Sequence, residues 1–215
     1  MLNHRKRGKS LWTIGKTAKI TDFLKIHYTN RMAERTKLWI AKVVKRLMQT
    51  KDVEKIRVTD ICASAQIERA TFYYHFRDKY DAIAWIFAQD AGETDILNEE
   101  DAARGLEKMR EDFLFYKRAY EDTSETPLWR YMLEYFTARY SNLAKEKNGG
   151  IELDEETLYR IRFYCYGAIG MTREWLFSDC TKSALDAVRA MYGCMPSPLR
   201  ALFFDKTDSE LSRSL

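Results

Sequence analysis

Apolar residues recur through most of the chain at the three- and four-residue spacing that places them on one face of an α-helix. The first clear instance is 36–50, where Ile40, Val44 and Leu47 share one face and lysines fill the other positions. Only three prolines and nine glycines occur in 215 residues, and such a composition favours helices over sheets. The pattern therefore predicts an all-α protein, with an N-terminal three-helix unit followed by a larger helical bundle.

Two short helical periods separated by a tight turn occupy residues 58–79. The first predicted helix has Thr59 as its N-cap, and the second runs from Arg69 to Tyr74 with Glu68 at its N-cap position. Two helices joined in this way, after a preceding helix, predict a helix-turn-helix. The second helix of such a motif can enter the major groove of DNA.

The second helix of the motif turns Phe72 into the core and leaves its other side chains to the solvent. These are Arg69, Ala70, Thr71, Tyr73, Tyr74 and His75. Phenol O–H and imidazole N–H groups can donate to phosphates, a guanidinium can read a guanine edge, and small apolar groups fit against a thymine methyl. Lys79, at the start of the next helix, adds a phosphate contact together with that helix's N-terminus. We therefore predict an interface with double-stranded DNA.

The charge distribution supports a polyanion partner for the N-terminal part alone. Residues 1–31 carry eight basic side chains and one acidic side chain. Residues 32–80 carry eleven basic and six acidic side chains, and residues 81–215 carry 17 basic and 25 acidic side chains. A basic first part joined to an acidic body favours nucleic-acid contact by the first part. The basic cluster in 1–31 is interpreted either as a disordered tail or as an arm that follows the DNA. A start of the native chain at Met32 is a third alternative.

Several classes of function find no support in the sequence. The four cysteines form no C-x-x-C pair, and with three histidines they make no recognisable zinc site. We find no nucleophile elbow or phosphate-binding loop, so we expect no enzyme, no cofactor and no metal. No run of about 18 apolar residues is present, and no secretory signal is recognisable. We therefore expect no membrane partner, a cytoplasmic location and reduced thiols.

Beyond residue 80 the spacing predicts further helices over 79–95, 100–120, 127–145, 155–178 and 183–191, with a last short helix after Pro196. Proline at the first position of the third of these is well tolerated, and Asp154 is the expected N-cap of the fourth. Gly167 and Gly170 within that long helix each cost up to about 1 kcal/mol relative to alanine. Close packing of another helix at these two glycines is the expected compensation.

The block V-T-D-I-C-A-S-A-Q-I-E-R-A-T-F-Y-Y-H-F-R-D-K-Y-D-A-I resembles the DNA-binding domain of TetR-type (tetracycline-repressor-like) transcriptional regulators. The resemblance covers about 37–87, and its most specific part is T-F-Y-Y-H-F-x-x-K. It implies that Thr59 touches operator DNA together with the exposed residues of the second helix and Lys79. Gln66 stands where the family usually has glycine, and a positive φ at this residue would cost about 1 kcal/mol.

The segment F-Y-C-Y-G-A-I-G-M-T-R-E-W-L, 163–176, resembles the C-terminal domain of a TetR subfamily that includes regulators of dihydroxyacetone metabolism. The family dimerises through its last helices, so the resemblance implies a homodimer interface at Gly167, Gly170, Trp175 and Met191. The expected domains are a basic extension (1–31), the helix-turn-helix domain (32–80), a connecting helix (81–98) and a regulatory and dimerisation domain (99–215).

Aromatic residues are dense between 113 and 166, and they form either the core of the body or an apolar effector pocket. The candidate pocket residues are Phe113, Tyr116, Tyr120, Trp129, Met132, Tyr135, Phe136 and Phe163. We therefore expect a homodimeric repressor that binds a palindromic operator and is released by a small-molecule effector. One alternative is a DNA-binding adaptor whose body receives a partner protein and activates transcription. Another is a redox sensor that uses Cys165, Cys180 or Cys194.

Overall fold

The computed structural model describes residues 33–92 and 94–204, and within these ranges the chain is helical without strands. The predicted all-α class is confirmed, whereas the basic cluster expected in 1–31 lies outside the described residues. The elements are α1 (33–47), a 3-10 turn (Val53–Lys55), α2 (Val58–Ala65), α3 (Arg69–His75), α4 (Lys79–Ala91), α5 (Glu99–Glu111), α6 (Phe113–Glu121), α7 (Leu128–Lys147), α8 (Glu155–Phe177), α9 (Ala184–Gly193) and α10 (Ser197–Phe204).

Helices α1 to α3 pack as a small unit, here called the head, around the buried side chain of Phe72. Ile40 and Ile61, on the first two helices, are also fully buried. The indole Nε1–H of Trp39 donates to the carbonyl oxygen of Ala65 at 2.9 Å, which ties α1 to the end of α2. Burial of such aliphatic and aromatic side chains stabilises the unit by about 1.5–3 kcal/mol for each residue. The head thereby holds α3 in a fixed orientation.

Helix α4 leads from the head into the remaining helices, which are here called the body. Asp78 begins it as N-cap, because its Oδ1 accepts a hydrogen bond from the backbone N–H of Asp81 at 2.8 Å. The helix ends at Ala91, four residues before the predicted end, since Gly92 has a φ of 51° and leaves the helical conformation.

The predicted helix over 100–120 is two helices, α5 and α6. Asp112 separates them with φ −103° and ψ 37°, and its Oδ2 lies 2.6 Å from Nζ of Lys45 on α1. We attribute the break to this contact with the head, which holds Asp112 in a conformation that a continuous helix does not allow.

The longest helices, α7 and α8, run along each other and enclose the core of the body. Met132, Ile161 and Leu176 are almost completely buried between the helices. The predicted N-cap of α8 is confirmed, because Asp154 Oδ1 accepts from the backbone N–H of Thr157 at 2.7 Å. Helix α7 begins one residue later than predicted, with Pro127 as its N-cap.

The end of α6 also touches the head, at the loop between α1 and α2. The guanidinium of Arg118 donates to the carbonyl oxygen of Met48, and Oγ1 of Thr123 lies 2.8 Å from Oε1 of Glu54. Head and body are therefore joined by side-chain contacts in addition to α4. None of the helices in the described ranges has the length and apolar character that crossing a membrane requires.

Candidate nucleic-acid interface and body cavity

The turn between α2 and α3 is formed by a left-handed residue. Gln66 has φ 55° and ψ 47°, so it takes the conformation that glycine adopts with the least strain. The backbone N–H of Ile67 then donates to the carbonyl oxygen of Cys62 at 3.1 Å, which closes the end of α2. This geometry sets the angle at which α3 leaves the turn.

The prediction that Thr59 is the N-cap of α2 is wrong. The helix begins at Val58 with Arg57 as N-cap, and Asp60 Oδ2 accepts a hydrogen bond from the backbone N–H of Arg57 at 3.0 Å. A carboxylate three residues into the helix thus stabilises its start. Thr59 lies in the first turn of α2 with its side chain exposed, and its contact with DNA stays a prediction.

Helix α3 presents its aromatic residues to the solvent. Tyr74 is 74% exposed and Tyr73 is 48% exposed, while Phe72 between α3 and the core is completely buried. Arg69 and Ala70 are also exposed, whereas the remaining two predicted contact residues, Thr71 and His75, are half-buried. The structure therefore brings the six predicted α3 residues together on one short helix.

Arg69 and Tyr73 form a stacked pair at the start of α3. The guanidinium carbon of Arg69 lies 5.8 Å from the ring centroid of Tyr73, and its Nη2 lies 3.4 Å from the tyrosine hydroxyl. The hydrogen bond to Tyr73 raises the pKa of Arg69 above its usual range. Because the two residues are one helical turn apart, the tyrosine restricts the guanidinium to one side of α3.

His75 ends α3 in a partly buried position beside the ring of Tyr74, with 4.9 Å between the two ring centroids. Burial lowers the pKa of His75 below its usual value, and the positive charge of Lys37 lowers it further. Both effects favour the neutral imidazole, and in this form it can donate one N–H to a phosphate.

Lys79 makes contacts that the sequence did not indicate. Its Nζ donates to the carbonyl oxygen of Val53 at 2.7 Å and to that of Ile56 at 2.9 Å. A third carbonyl, that of Glu54, lies at 3.3 Å. Burial lowers the pKa of this ammonium group. The side chain holds the loop before α2 against the start of α4, and its contact with a phosphate stays a prediction.

Comparison with known proteins matches both parts of the chain to one family. The family described as "Bacterial regulatory proteins, tetR family" matches residues 40–82, which include α2 and α3. A TetR-type C-terminal domain, described as "Transcriptional regulator C-terminal region", matches residues 102–196. The chain belongs to the TetR family. It is accordingly a DNA-binding transcriptional regulator, and the expected resemblance of the head is confirmed.

The names of two similar proteins agree with the subfamily that the sequence led us to expect. The HTH-type dhaKLM operon transcriptional activator DhaS of Lactococcus lactis subsp. lactis (strain IL1403) is 33% identical over 89 residues, which are 38% of this chain and 46% of that protein. The match thus spans about half the length of this curated relative. A solved structure, the dihydroxyacetone kinase operon activator DhaS, has a TM-score of 0.50 and 22% identity, and the match covers 77% of this chain and 96% of that chain. The second comparison supports the fold alone.

The body contains a cavity of about 120 Å³ between α4, α5, α6, α7, α8 and α9. Of the predicted pocket residues, Tyr116, Met132 and Phe136 line it. The other five are not part of its wall: Phe113, Tyr120, Trp129, Tyr135 and Phe163. Phe163 is 67% exposed on the outer face of α8, because the helix turns this residue away from the core.

The polar groups of the cavity wall were missed at the sequence level. Asp90 on α4 lines the cavity, and its Oδ2 accepts from the hydroxyl of Tyr116 at 2.7 Å. The hydroxyl groups of Tyr140 and Tyr192 both donate to the carbonyl oxygen of Ile96. A single acidic residue in an otherwise apolar stretch of α4 was the one available signal for this site.

The predicted dimer residues fall into two groups. Gly167 and Gly170 lie on the exposed face of α8, and a Cβ added at either would have no neighbouring atom within 4 Å. The expected packing of another helix on these glycines is therefore absent within the described part of the chain. Trp175 is buried, and its Nε1–H donates to the carbonyl oxygen of Lys182 at 2.9 Å. Met191 is half-buried at the floor of an open groove between α8 and α9.

The cysteines do not favour a redox sensor. Burial raises the pKa of Cys165 to about 11, and burial also raises the pKa of Cys180. Since the thiolate is the form that reacts with oxidants, both shifts disfavour oxidation. Cys194 is exposed and lies at the groove between α8 and α9.

Proposed function

We propose that the protein is a homodimeric transcriptional regulator that binds a palindromic operator through α3 of each subunit, and that an effector received by the body changes its affinity for DNA. The exposed aromatic surface of α3 carries this proposal, because Tyr73 and Tyr74 are exposed within the segment that matches the DNA-binding region of the family. Exposed tyrosines of this kind add little to folding, whereas their hydroxyl groups are suited to phosphate contacts.

The exposed face of α8 supports the homodimer. Tyr159 is 72% exposed, Phe163 is 67% exposed and Met171 is 49% exposed, and Gly167 and Gly170 lie on the same helix. A patch of large apolar side chains beside small residues fits a partner helix that approaches closely. In a symmetric dimer the two heads would read half-sites about one helical turn apart.

Light scattering of the purified protein tests the dimer. The wild type is expected to have twice the mass of one chain, and Phe163→Glu is expected to dissociate it, because two carboxylates would be buried at the symmetric contact. Lys147→Glu, at the exposed end of α7, is the matched control and should leave the dimer intact. A wild-type protein of one-chain mass would contradict the proposal.

The sign of regulation is proposed as repression, with release by a small molecule that enters the cavity. A second candidate is an activator whose body receives a partner protein. This candidate is favoured by the name of one similar protein, DhaS of Lactococcus lactis, which is described as an operon transcriptional activator. Transcription from a recovered operator distinguishes the two, because a repressor lowers the transcript level in the absence of effector and an activator raises it.

Sequencing of genomic DNA fragments captured by the purified protein tests operator binding. We expect one enriched inverted repeat, and we expect Tyr74→Ala to weaken its binding without changing the helical content of the protein. Ile151→Ala serves as the matched control, since Ile151 is an exposed apolar residue in the loop between α7 and α8, outside both proposed surfaces. Equal capture of all fragments, or unchanged affinity of Tyr74→Ala, would contradict the proposed interface.

A further inference from the structure

One carboxylate joins the body cavity to the head. Oδ2 of Asp90 lies 2.8 Å from Nζ of Lys45 on α1 and 2.7 Å from the hydroxyl oxygen of Tyr116 on α6. Both hydrogen bonds that Asp90 receives within the described residues therefore fall on the same oxygen. The side chains are largely shielded from solvent, with exposed fractions of 22% for Lys45 and 13% for Asp90.

The cavity beside this carboxylate is lined mainly by apolar side chains. Asp90 and Tyr116 stand in its wall among side chains such as Leu106, Met132 and Ile169. Its volume of about 120 Å³ is close to that of cavities, on the order of 150 Å³, that accommodate a benzene-sized molecule. An ionised carboxylate only accepts hydrogen bonds, and it repels an anionic ligand. The cavity wall thus fits a compact, largely apolar ligand that carries one hydrogen-bond donor.

We propose that the cavity binds a small, largely apolar molecule of about seven non-hydrogen atoms whose hydroxyl or ammonium group donates to Asp90, in competition with Lys45. This inference rests on the proposed function, since it names the chemistry of the effector. Lys45 keeps its second partner, Asp112, at 2.6 Å. The ligand can therefore replace one contact of Lys45 without leaving the ammonium group unpaired. Binding loosens the link between α1 and α4 and changes the affinity for DNA.

Calorimetric titration of the full-length protein with phenol, benzylamine and toluene tests the ligand chemistry. The three probes have similar size, and toluene has no donor. Phenol or benzylamine is expected to bind about tenfold more tightly than toluene, because a hydrogen bond to a charged acceptor contributes about this factor. Binding of benzylamine but not phenol would assign the donor as ammonium, and the reverse would assign it as hydroxyl.

Two variants test the competition. Lys45→Met is expected to strengthen binding of the donor probe several-fold and to leave toluene unchanged, because the carboxylate then has one donor fewer. Asp90→Asn is expected to reduce the preference for the donor probe over toluene to about twofold, since a neutral acceptor forms a weaker hydrogen bond. If Asp90→Asn does not fold, the Lys45→Met comparison decides the question.

Equal affinity for the three probes, binding of none of them, or an unchanged affinity in Lys45→Met would overturn the proposal. DNA affinity is measured separately by fluorescence anisotropy on a captured fragment. A protein that binds the fragment but no probe retains the proposed DNA binding and loses this inference. A protein that binds the donor probe without any change in DNA affinity loses the regulatory step.

Discussion

The ammonium nitrogen of Lys79 lies 2.7 Å from the carbonyl oxygen of Val53. This contact connects the first residue of α4 to the 3-10 turn that precedes the helix-turn-helix. The same nitrogen reaches the carbonyl of Ile56 at 2.9 Å, so one side chain holds two backbone carbonyl groups of this loop. Lys79 thus contributes to the stability of the head independently of any DNA contact.

We expect Lys79→Ala to lower the free energy of unfolding by about 1–3 kcal/mol, because it removes the hydrogen bonds from a partly buried ammonium group to the loop before α2. Urea unfolding at one fixed protein concentration measures the change. Lys55→Ala is the matched control in the same loop, since its side chain makes an exposed ion pair with Asp52, and it should have almost no effect. An unchanged stability of Lys79→Ala, with a smaller salt dependence of DNA binding, would instead support a phosphate contact.

Gln66→Gly is expected to stabilise the head by up to about 1 kcal/mol, because glycine removes the strain of the left-handed conformation at this position. Thermal unfolding measures the difference. Ala63→Gly, three residues earlier on the exposed side of α2, should have the opposite sign and cost about 1 kcal/mol. Equal effects of both changes would indicate that the turn does not require a positive φ in solution.

Tyr120→Phe is expected to raise the free energy of unfolding by about 1 kcal/mol. The Tyr120 hydroxyl is buried and has no hydrogen-bond partner within the described residues, so its removal relieves an uncompensated desolvation. Tyr116→Phe is the comparison, because its hydroxyl donates to Asp90. That change should lower the stability by about 1.5–3 kcal/mol, the range for a hydrogen bond to a charged group. A loss of stability in Tyr120→Phe would indicate a partner for this hydroxyl.

The stability of the protein should fall as the pH is lowered from about 6.5, and His75 should account for part of this fall. The pKa of His75 in the folded protein is below its usual value, so the unfolded chain binds a proton first. The contribution of neutral His75 is therefore complete above the unfolded pKa and is lost as the pH falls through the folded pKa. Urea midpoints of the wild type and His75→Gln between pH 5 and 7.5 test this. Parallel curves would contradict it.

Arg69→Ala should relax the preference for one base pair of the operator by about tenfold, because the bidentate contact that we predict for Arg69 with a base edge would be lost. Tyr73→Phe should instead weaken binding to all sequences to a similar extent, since a phosphate contact carries no sequence information. Tyr73 also positions the guanidinium of Arg69, so Tyr73→Leu should reproduce part of the Arg69→Ala effect. Anisotropy titrations on single-base operator variants distinguish these outcomes, and unchanged affinity in all three variants would contradict the contact.

The local signals in the sequence predicted most of the fold. Asp154 and the apolar spacing after it gave the start of α8 correctly, because an N-cap acts within one turn of its own helix. The break at Asp112 was not predicted, since it depends on Lys45, which is 67 residues earlier in the chain. Helical periodicity alone favours a continuous helix there.

The candidate sites were predictable to different degrees. The solvent exposure of most α3 side chains was predicted, because their orientation follows from the position of one core residue, Phe72. Their contact with DNA stays a prediction. The cavity was predicted poorly, since aromatic density does not distinguish a cavity wall from an outer surface such as that of Phe163. The contacts of Asp90 could not be predicted from its own helix, because its partners Tyr116 and Lys45 lie on two other helices.

Helix α6 is attached to the head near both of its ends. Asp112, just before it, contacts Lys45 on α1, and Thr123, just after it, contacts Glu54 in the 3-10 turn. A rotation of the head about α4 alone must break both attachments, whereas a rotation in which α6 travels with the head preserves them. In the regulation proposed above, a movement of the head would therefore carry α6 with it, and the sliding surface would lie between α6 and the α7–α8 pair.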